Sequence, residues 1–198
     1  MGDYGELDTQ TACGIWATCL SIKKHWGYQN DPVADEVREE LTVLFTSLAV
    51  PSMDNWMYFM QKQSRLLASK GSNATAMAVM FDFGVLRPVT QARSRMDAAL
   101  KLNNDDSKSA ARLQDAYADF YLAYLNTLVF SKSIIAETGT TVDEIKQDPH
   151  IKSWKYYDEQ YSKKFQEIIA RPKYAVLRRK VESMFMAHDT LSRSTVGG

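Results

Sequence analysis

Residues 151–191 read IKSWKYYDEQYSKKFQEIIARPKYAVLRRKVESMFMAHDTL, and the apolar spacing in this stretch decides the fold class. Ile151, Trp154, Tyr157, Tyr161, Phe165 and Ile168 recur at steps of three or four residues. Tyr174, Leu177, Val181, Met184, His188 and Leu191 do the same. A helix turns once in about 3.6 residues, so each set lines one face of a helix. Arg171-Pro172 separates them, because proline disfavours helical backbone in the residue before it. The stretch predicts a C-terminal helical hairpin broken at Arg171-Pro172, with two adjacent apolar faces that call for a partner surface.

The same period runs through the rest of the chain. Residues 9–26 predict a first helix closed by Gly27, and Asp31-Pro32 reads as the N-cap and first position of the next. That helix, 32–49, carries Val33, Val37, Leu41, Leu44, Phe45 and Leu48 on one side, and Val50-Pro51 is expected to break it. Met53, Trp56, Met57, Met60 and Leu67 line a helix at 53–70 that Gly71 closes. Residues 73–86 predict a short helix, mostly buried through Ala74, Met77, Ala78, Met80 and Phe81, with Gly84 and Pro88 weakening its end. A more polar helix follows at 89–102 with Val89, Met96, Ala99 and Leu100. Asn103-Asn104-Asp105-Asp106 is the clearest loop. Leu113, Tyr117, Phe120, Tyr124, Leu128, Ile134 and Ile135 then mark a long helix near 107–137. Thr141 and Glu144 form a capping box, and Asp148-Pro149 starts the helix that contains Trp154. The expectation is an all-α fold, a multi-helix bundle of about seven to eight helices. It comprises an N-terminal helical part at 1–102, a C-terminal helical part at 107–192, and a flexible tail at 193–198.

Composition excludes several function classes. Lys plus Arg number 24 against 24 Asp plus Glu, and zero net charge argues against bulk attraction to nucleic acid or an anionic membrane. Cys13 and Cys19, six residues apart on one helix, face different ways, so no disulfide framework is expected. Asp3, Glu6 and Asp8 stand where a signal peptide needs positive charge. The uncharged runs fall short of the ~20 residues that span a bilayer. These features predict a cytoplasmic protein with no transmembrane segment. The chemistry of an active site is not marked either. His25, His150 and His188 show no metal-ligand spacing, and no P-loop, nucleophile elbow or dinucleotide fingerprint occurs. The expectation is a non-enzyme with no catalytic residue, cofactor or metal.

Aromatic content points the other way, toward contact. Ten tyrosines, eight phenylalanines and four tryptophans concentrate in 117–130 and 154–165. Rings with one dry and one wet end suit helix packing, a protein interface or an apolar surface. Residues 156–187 read YYDEQYSKKFQEIIARPKYAVLRRKVESMFMA. With the helix before them and the long helix at 107–137, they resemble the C-terminal region of the non-catalytic E subunit of two-component polyhydroxyalkanoate synthases. In that family a helix ends at a Pro-x-Tyr-Ala turn, matched here by Pro172-Lys173-Tyr174-Ala175, and a Leu/Arg-rich helix follows, as in Leu177-Arg178-Arg179-Lys180-Val181. Family members usually continue into a Pro-Thr-containing segment and a coiled-coil tail, which are not found before Gly198.

The resemblance implies an accessory subunit without catalytic residues. It would bind a catalytic synthase subunit, an α/β-hydrolase-type enzyme with a cysteine nucleophile, and raise its activity on hydroxyacyl-coenzyme A. The expected partner interface is Trp154, Tyr157, Tyr161, Phe165, Tyr174 and Leu177. The other reading is a self-assembling structural protein, viral or cellular, or a granule-coating, phasin-like one. Its partners would be copies of itself or an apolar granule surface, and nucleic acid is expected in neither reading.

Overall fold

The computed structural model describes residues 32–102, 107–175 and 179. Helix fills nearly all of these, and no strand occurs among them. The helix expected at 9–26 with Cys13, Cys19 and His25, the loop at 103–106, and the helix beyond Ala175 with Leu177 and His188 lie outside the described residues.

Helix α1 runs Pro32–Leu44 and passes through a wide, π-helical turn at Phe45–Ala49 into α2, Val50–Ala68. Helix α3, Ser72–Phe81, passes through a second wide turn at Asp82–Leu86 into α4, Arg87–Lys101. Then come α5 (Ser107–Thr138), α6 (Val142–Gln147) and α7 (Pro149–Ile169), followed by a 3-10 turn at Pro172–Tyr174. The expected break at Val50-Pro51 is therefore absent, and so is the expected end near Gly84 and Pro88.

One physical reason explains both corrections. Within a helix a proline ring crowds the carbonyl four residues back and cannot donate to it. For Pro51 that carbonyl belongs to Ser47, and for Pro88 to Gly84; each lies inside a wide turn. There the Val50 N–H reaches back to the Phe45 carbonyl, and the Arg87 N–H to the Asp82 carbonyl. Widening the turn by one residue moves the obstructed carbonyl out of the proline's way, so the helix continues. Hydroxyls support the first of these turns: Thr46 donates to the Thr42 carbonyl at 3.0 Å and Ser47 to the Val43 carbonyl at 2.7 Å.

Elsewhere the boundaries follow local chemistry. Gly71 and Gly139 take φ of 126° and 72°, backbone that L side chains rarely adopt, and they end α2 and α5. The Thr141 hydroxyl accepts the Glu144 N–H at 3.2 Å to open α6. The Asp148 carboxylate accepts the N–H groups of His150 and Ile151 at 2.8 and 3.3 Å to open α7.

The chain divides into two compact units. One is Ser52–Lys155 in its described part, and the other comprises the described residues of 7–51 and of 156–198. The polar segment 103–106 is not a border between them, because α4 and α5 on its two sides pack along each other. In the Ser52–Lys155 unit the core centres on Trp56 and Trp154, whose ring centroids are 4.5 Å apart. The Trp56 indole N–H donates to the Thr127 hydroxyl at 2.8 Å, which itself donates to the Tyr124 carbonyl at 2.6 Å. The Trp154 indole N–H donates to the Tyr124 phenol at 3.2 Å, and the Ser52 hydroxyl donates to the Trp154 carbonyl at 3.1 Å. The Phe59 ring lies 5.7 Å from that of Trp56, and Met53, Met60, Tyr117, Phe120 and Tyr121 are buried in the same unit. A second polar knot joins the ends of α2 and α5, where Gln63 accepts from the Thr138 and Thr140 hydroxyls at 3.0 and 2.9 Å.

Replacing Thr127 with Val keeps the shape but leaves the buried Trp56 N–H without its acceptor. The expected loss of stability is about 1–3 kcal/mol. Adding Trp56→Phe to Thr127→Val should remove the orphaned donor as well, so the pair should be coupled in a double-mutant cycle read by urea unfolding. Additive losses would show that the bond contributes nothing of its own.

Candidate functional site

The Arg171-Pro172-Lys173-Tyr174 segment that marks the expected hairpin forms a compact clamp on α1. Pro172 opens the 3-10 turn, and this places Lys173 and Tyr174 against the helix. Tyr174 is buried, and its hydroxyl donates to Glu40 Oε1 at 2.9 Å. Arg171 Nη1 donates to both Glu40 oxygens, at 2.6 and 2.5 Å, and Lys173 pairs with Glu36. The Lys173 ammonium and the Arg171 guanidinium lie 5.0 and 5.9 Å from the Tyr174 ring centroid. Burial alone would raise the Glu40 carboxyl. The hydrogen bonds from Arg171 and Tyr174, with the charges of Arg171 and Lys173, outweigh it and hold that carboxyl below its ordinary value. Burial, then the bond to Glu40, pushes the Tyr174 phenol up, so it remains a donor.

The expected interface residues are placed as follows. Trp154 is buried in the Ser52–Lys155 unit. In the other unit Tyr161, Phe165 and Tyr174 are buried, with the Tyr161 and Phe165 rings stacked at 6.0 Å. These four rings are covered by the chain itself. Tyr157 is half-buried and meets the exposed Tyr156 edge-on at 5.4 Å, so this pair keeps an accessible aromatic face.

Charged side chains in the Ser52–Lys155 unit are used in ties between helices. Arg93 on α4 grips Asp54 on α2 through Nε and Nη2 at 3.0 and 3.2 Å, and it also pairs with Asp97. Beside this tie lies a cavity of about 280 Å³, with Met57, Val89 and Phe120 among its lining. Lys62 pairs with Asp148 at 2.5 Å. Burial would raise the Asp148 carboxyl, but the Lys62 bond and the N–H groups of His150 and Ile151 hold it low. His150 Nδ1 sits 3.3 Å from Asn55 Oδ1, with the Tyr58 ring 5.3 Å away. No group of His, Cys, Asp or Glu suited to a metal ion occurs among the described residues.

What stands out is apolar surface. Met80 is 74% exposed, Phe83 57% and Val79 50%, all on α3 and the wide turn after it. The Arg87 guanidinium lies 3.9 Å from the Phe83 centroid and caps one ring face. Between this segment and α2 runs an open groove of about 520 Å³, lined by Ser64, Arg65, Ala68, Val79, Asp82 and Phe83 among others. A second patch lies on α5, where Leu122, Val129 and Phe130 are 55, 73 and 47% exposed. Here the sequence expectation fails for Met80, which was placed inside. Residues 76–86 hold one charged side chain, Asp82, and residues 122–130 hold none; both carry more large apolar side chains than one core face absorbs, and that excess is the signal in the sequence.

Compared with known protein families, curated proteins and solved structures, the chain matches none.

The clamp yields a pH prediction. Glu40 ionises at lower pH in the fold than in the unfolded chain, so its contribution is present above the ordinary value of 4.5 and is lost as pH falls through the lowered one. Wild type should therefore have a higher urea midpoint than Glu40→Gln at neutral pH. The gap should hold down to about pH 5 and close on further acidification. A gap that does not depend on pH would show that Glu40 acts by packing alone.

Proposed function

We propose that the chain is a non-catalytic, all-helical interaction protein that works by presenting exposed apolar side chains to a protein partner. The single observation that carries this reading is the pair of uncovered apolar patches, Val79, Met80 and Phe83 on one side and Leu122, Val129 and Phe130 on the other. Scattered surface leucines are ordinary, but groups of large apolar side chains within a helical turn or two of one another mark contact surfaces. No helix among the described residues is long and apolar enough to cross a membrane.

In its finer form the reading is a bundle of about seven to eight helices over the whole chain, ending in the hairpin broken at Arg171-Pro172. It acts as an accessory subunit that binds and activates the catalytic subunit of a polyhydroxyalkanoate synthase. Its place is cytoplasmic and granule-associated, and it has no nucleic-acid role. Support for this form is the resemblance of residues 156–187 and the ordered turn at Pro172–Tyr174. With Trp154, Tyr161, Phe165 and Tyr174 filling the chain's own interior, the aromatic face left for that subunit is Tyr156 with Tyr157. The second reading, a self-assembling structural protein, is favoured by the coexistence of an open groove and an exposed apolar ridge on one unit.

Isolation of the tagged protein from its own source, with the mass of the intact complex, separates the two readings. The accessory reading expects a stoichiometric partner that polymerises hydroxyacyl-coenzyme A. Tyr156→Ala with Tyr157→Ala should then weaken that complex by about 2 kcal/mol while helix content is unchanged. A homogeneous assembly of this chain alone would replace that reading with the second. Isolation as a lone monomer would count against both.

A further inference from the structure

We propose that one copy of this chain docks on the next in a head-to-tail manner, the α5 ridge of Leu122, Val129 and Phe130 entering the groove between α2 and α3. This rests on the reading of the exposed apolar patches as contact surfaces, and not on the identity of any other partner. Three observations choose a second copy as the occupant. The first is form: the groove is open and partly apolar, with Ala68, Ala78, Val79 and Phe83 in its walls, and the ridge is a single helix face. On α5, Val129 and Phe130 follow Leu122 by seven and eight residues, so the three share one face. Helix-in-groove contact is the way such a face is ordinarily covered.

The second is charge. The groove carries Arg65 in its lining and Arg87 over Phe83, against Asp82. Along and beside the ridge, Asp115, Asp119 and Glu137 are exposed acids against one exposed base, Lys132, three residues after Val129, so the flanks of the ridge carry an acidic excess. A basic-edged groove and an acid-flanked ridge attract each other and disfavour ridge-to-ridge pairing, where acids would face acids. The third is topology. Ridge and groove are different surfaces of one unit, so docking one into the other leaves a free ridge and a free groove at the two ends. Such a heterologous contact propagates into a ring or a filament. A one-helix ridge covers less than the roughly 1,200 Å² of a stable interface, so the association depends on concentration.

The test uses the full chain at rising concentration in analytical ultracentrifugation. Wild type should grow past the mass of a dimer. Phe130→Glu on the ridge and Val79→Glu in the groove should each weaken self-association at least tenfold, both with unchanged circular dichroism. Mixing the two variants in equal amounts should give a heterodimer and nothing larger, because each retains the surface the other lacks. Wild type that stays monomeric, single variants that assemble as wild type does, or a mixture that stays monomeric would each overturn the proposal. If either variant loses helix content, Val129→Lys on the ridge and Arg65→Glu on the groove replace it, with the same mixing rule. Retained binding of a co-purified partner by Phe130→Glu, together with a monomeric wild type, would sink this contact and leave the interaction reading standing.

Discussion

The contact on which the Ser52–Lys155 unit depends is Trp56 against Trp154, two buried indoles whose N–H groups both find acceptors on α5. Each ring removes a large apolar area from water, the dominant favourable term in folding. Each also carries one donor that would be costly if buried alone. Thr127 and the Tyr124 hydroxyl meet those donors from one helix, and this sets the register of α2 and α7 on α5 together. Gln63 with Thr138 and Thr140 repeats the device farther along α2 and α5. An apolar core alone would tolerate sliding between helices; these directional bonds do not.

Most of the interior was legible in the sequence because helical spacing and burial share one cause. The stripe Met53, Trp56, Met57, Met60 and Leu67 is buried throughout, as is Leu113, Tyr117, Phe120 and Tyr124. Gly71, Gly139, Thr141 and Asp148 each end or open a helix as their chemistry dictates. The prolines misled for an instructive reason. Pro51 and Pro88 forbid a regular helix locally, and the reading took that as a break. A wide turn one step upstream is the other solution, and it keeps two helical runs continuous. Spacing rules see the local obstruction and not the remedy, which is chosen by what the longer helix then packs against.

The candidate surface was the least legible part, because helical period says which residues share a face and not which face is covered. Tyr161 shares the expected stripe with Tyr157, yet the first is sealed in and the second is partly open. Met80 and Phe81 are neighbours in an apolar run, and only Phe81 is inside. Their sorting follows from α3 packing on one side only, a tertiary fact. Arg171, Lys173 and Tyr174 show the converse. In the sequence Arg171 belongs to the proline break and Tyr174 opens an apolar stripe expected to meet a partner; in the fold Arg171, Lys173 and Tyr174 close on Glu36 and Glu40, residues more than 130 positions away in the chain.

The central claim is that the apolar patches of α3 and α5 are contact surfaces in the working state of this protein. Hydrogen exchange with mass spectrometry, comparing the protein isolated in its native assembly with the dilute chain alone, tests it most directly. The account predicts added protection confined mainly to the peptides around Val79–Phe83 and Leu122–Phe130. Equal exchange there in both states, or protection confined to other segments, would contradict it.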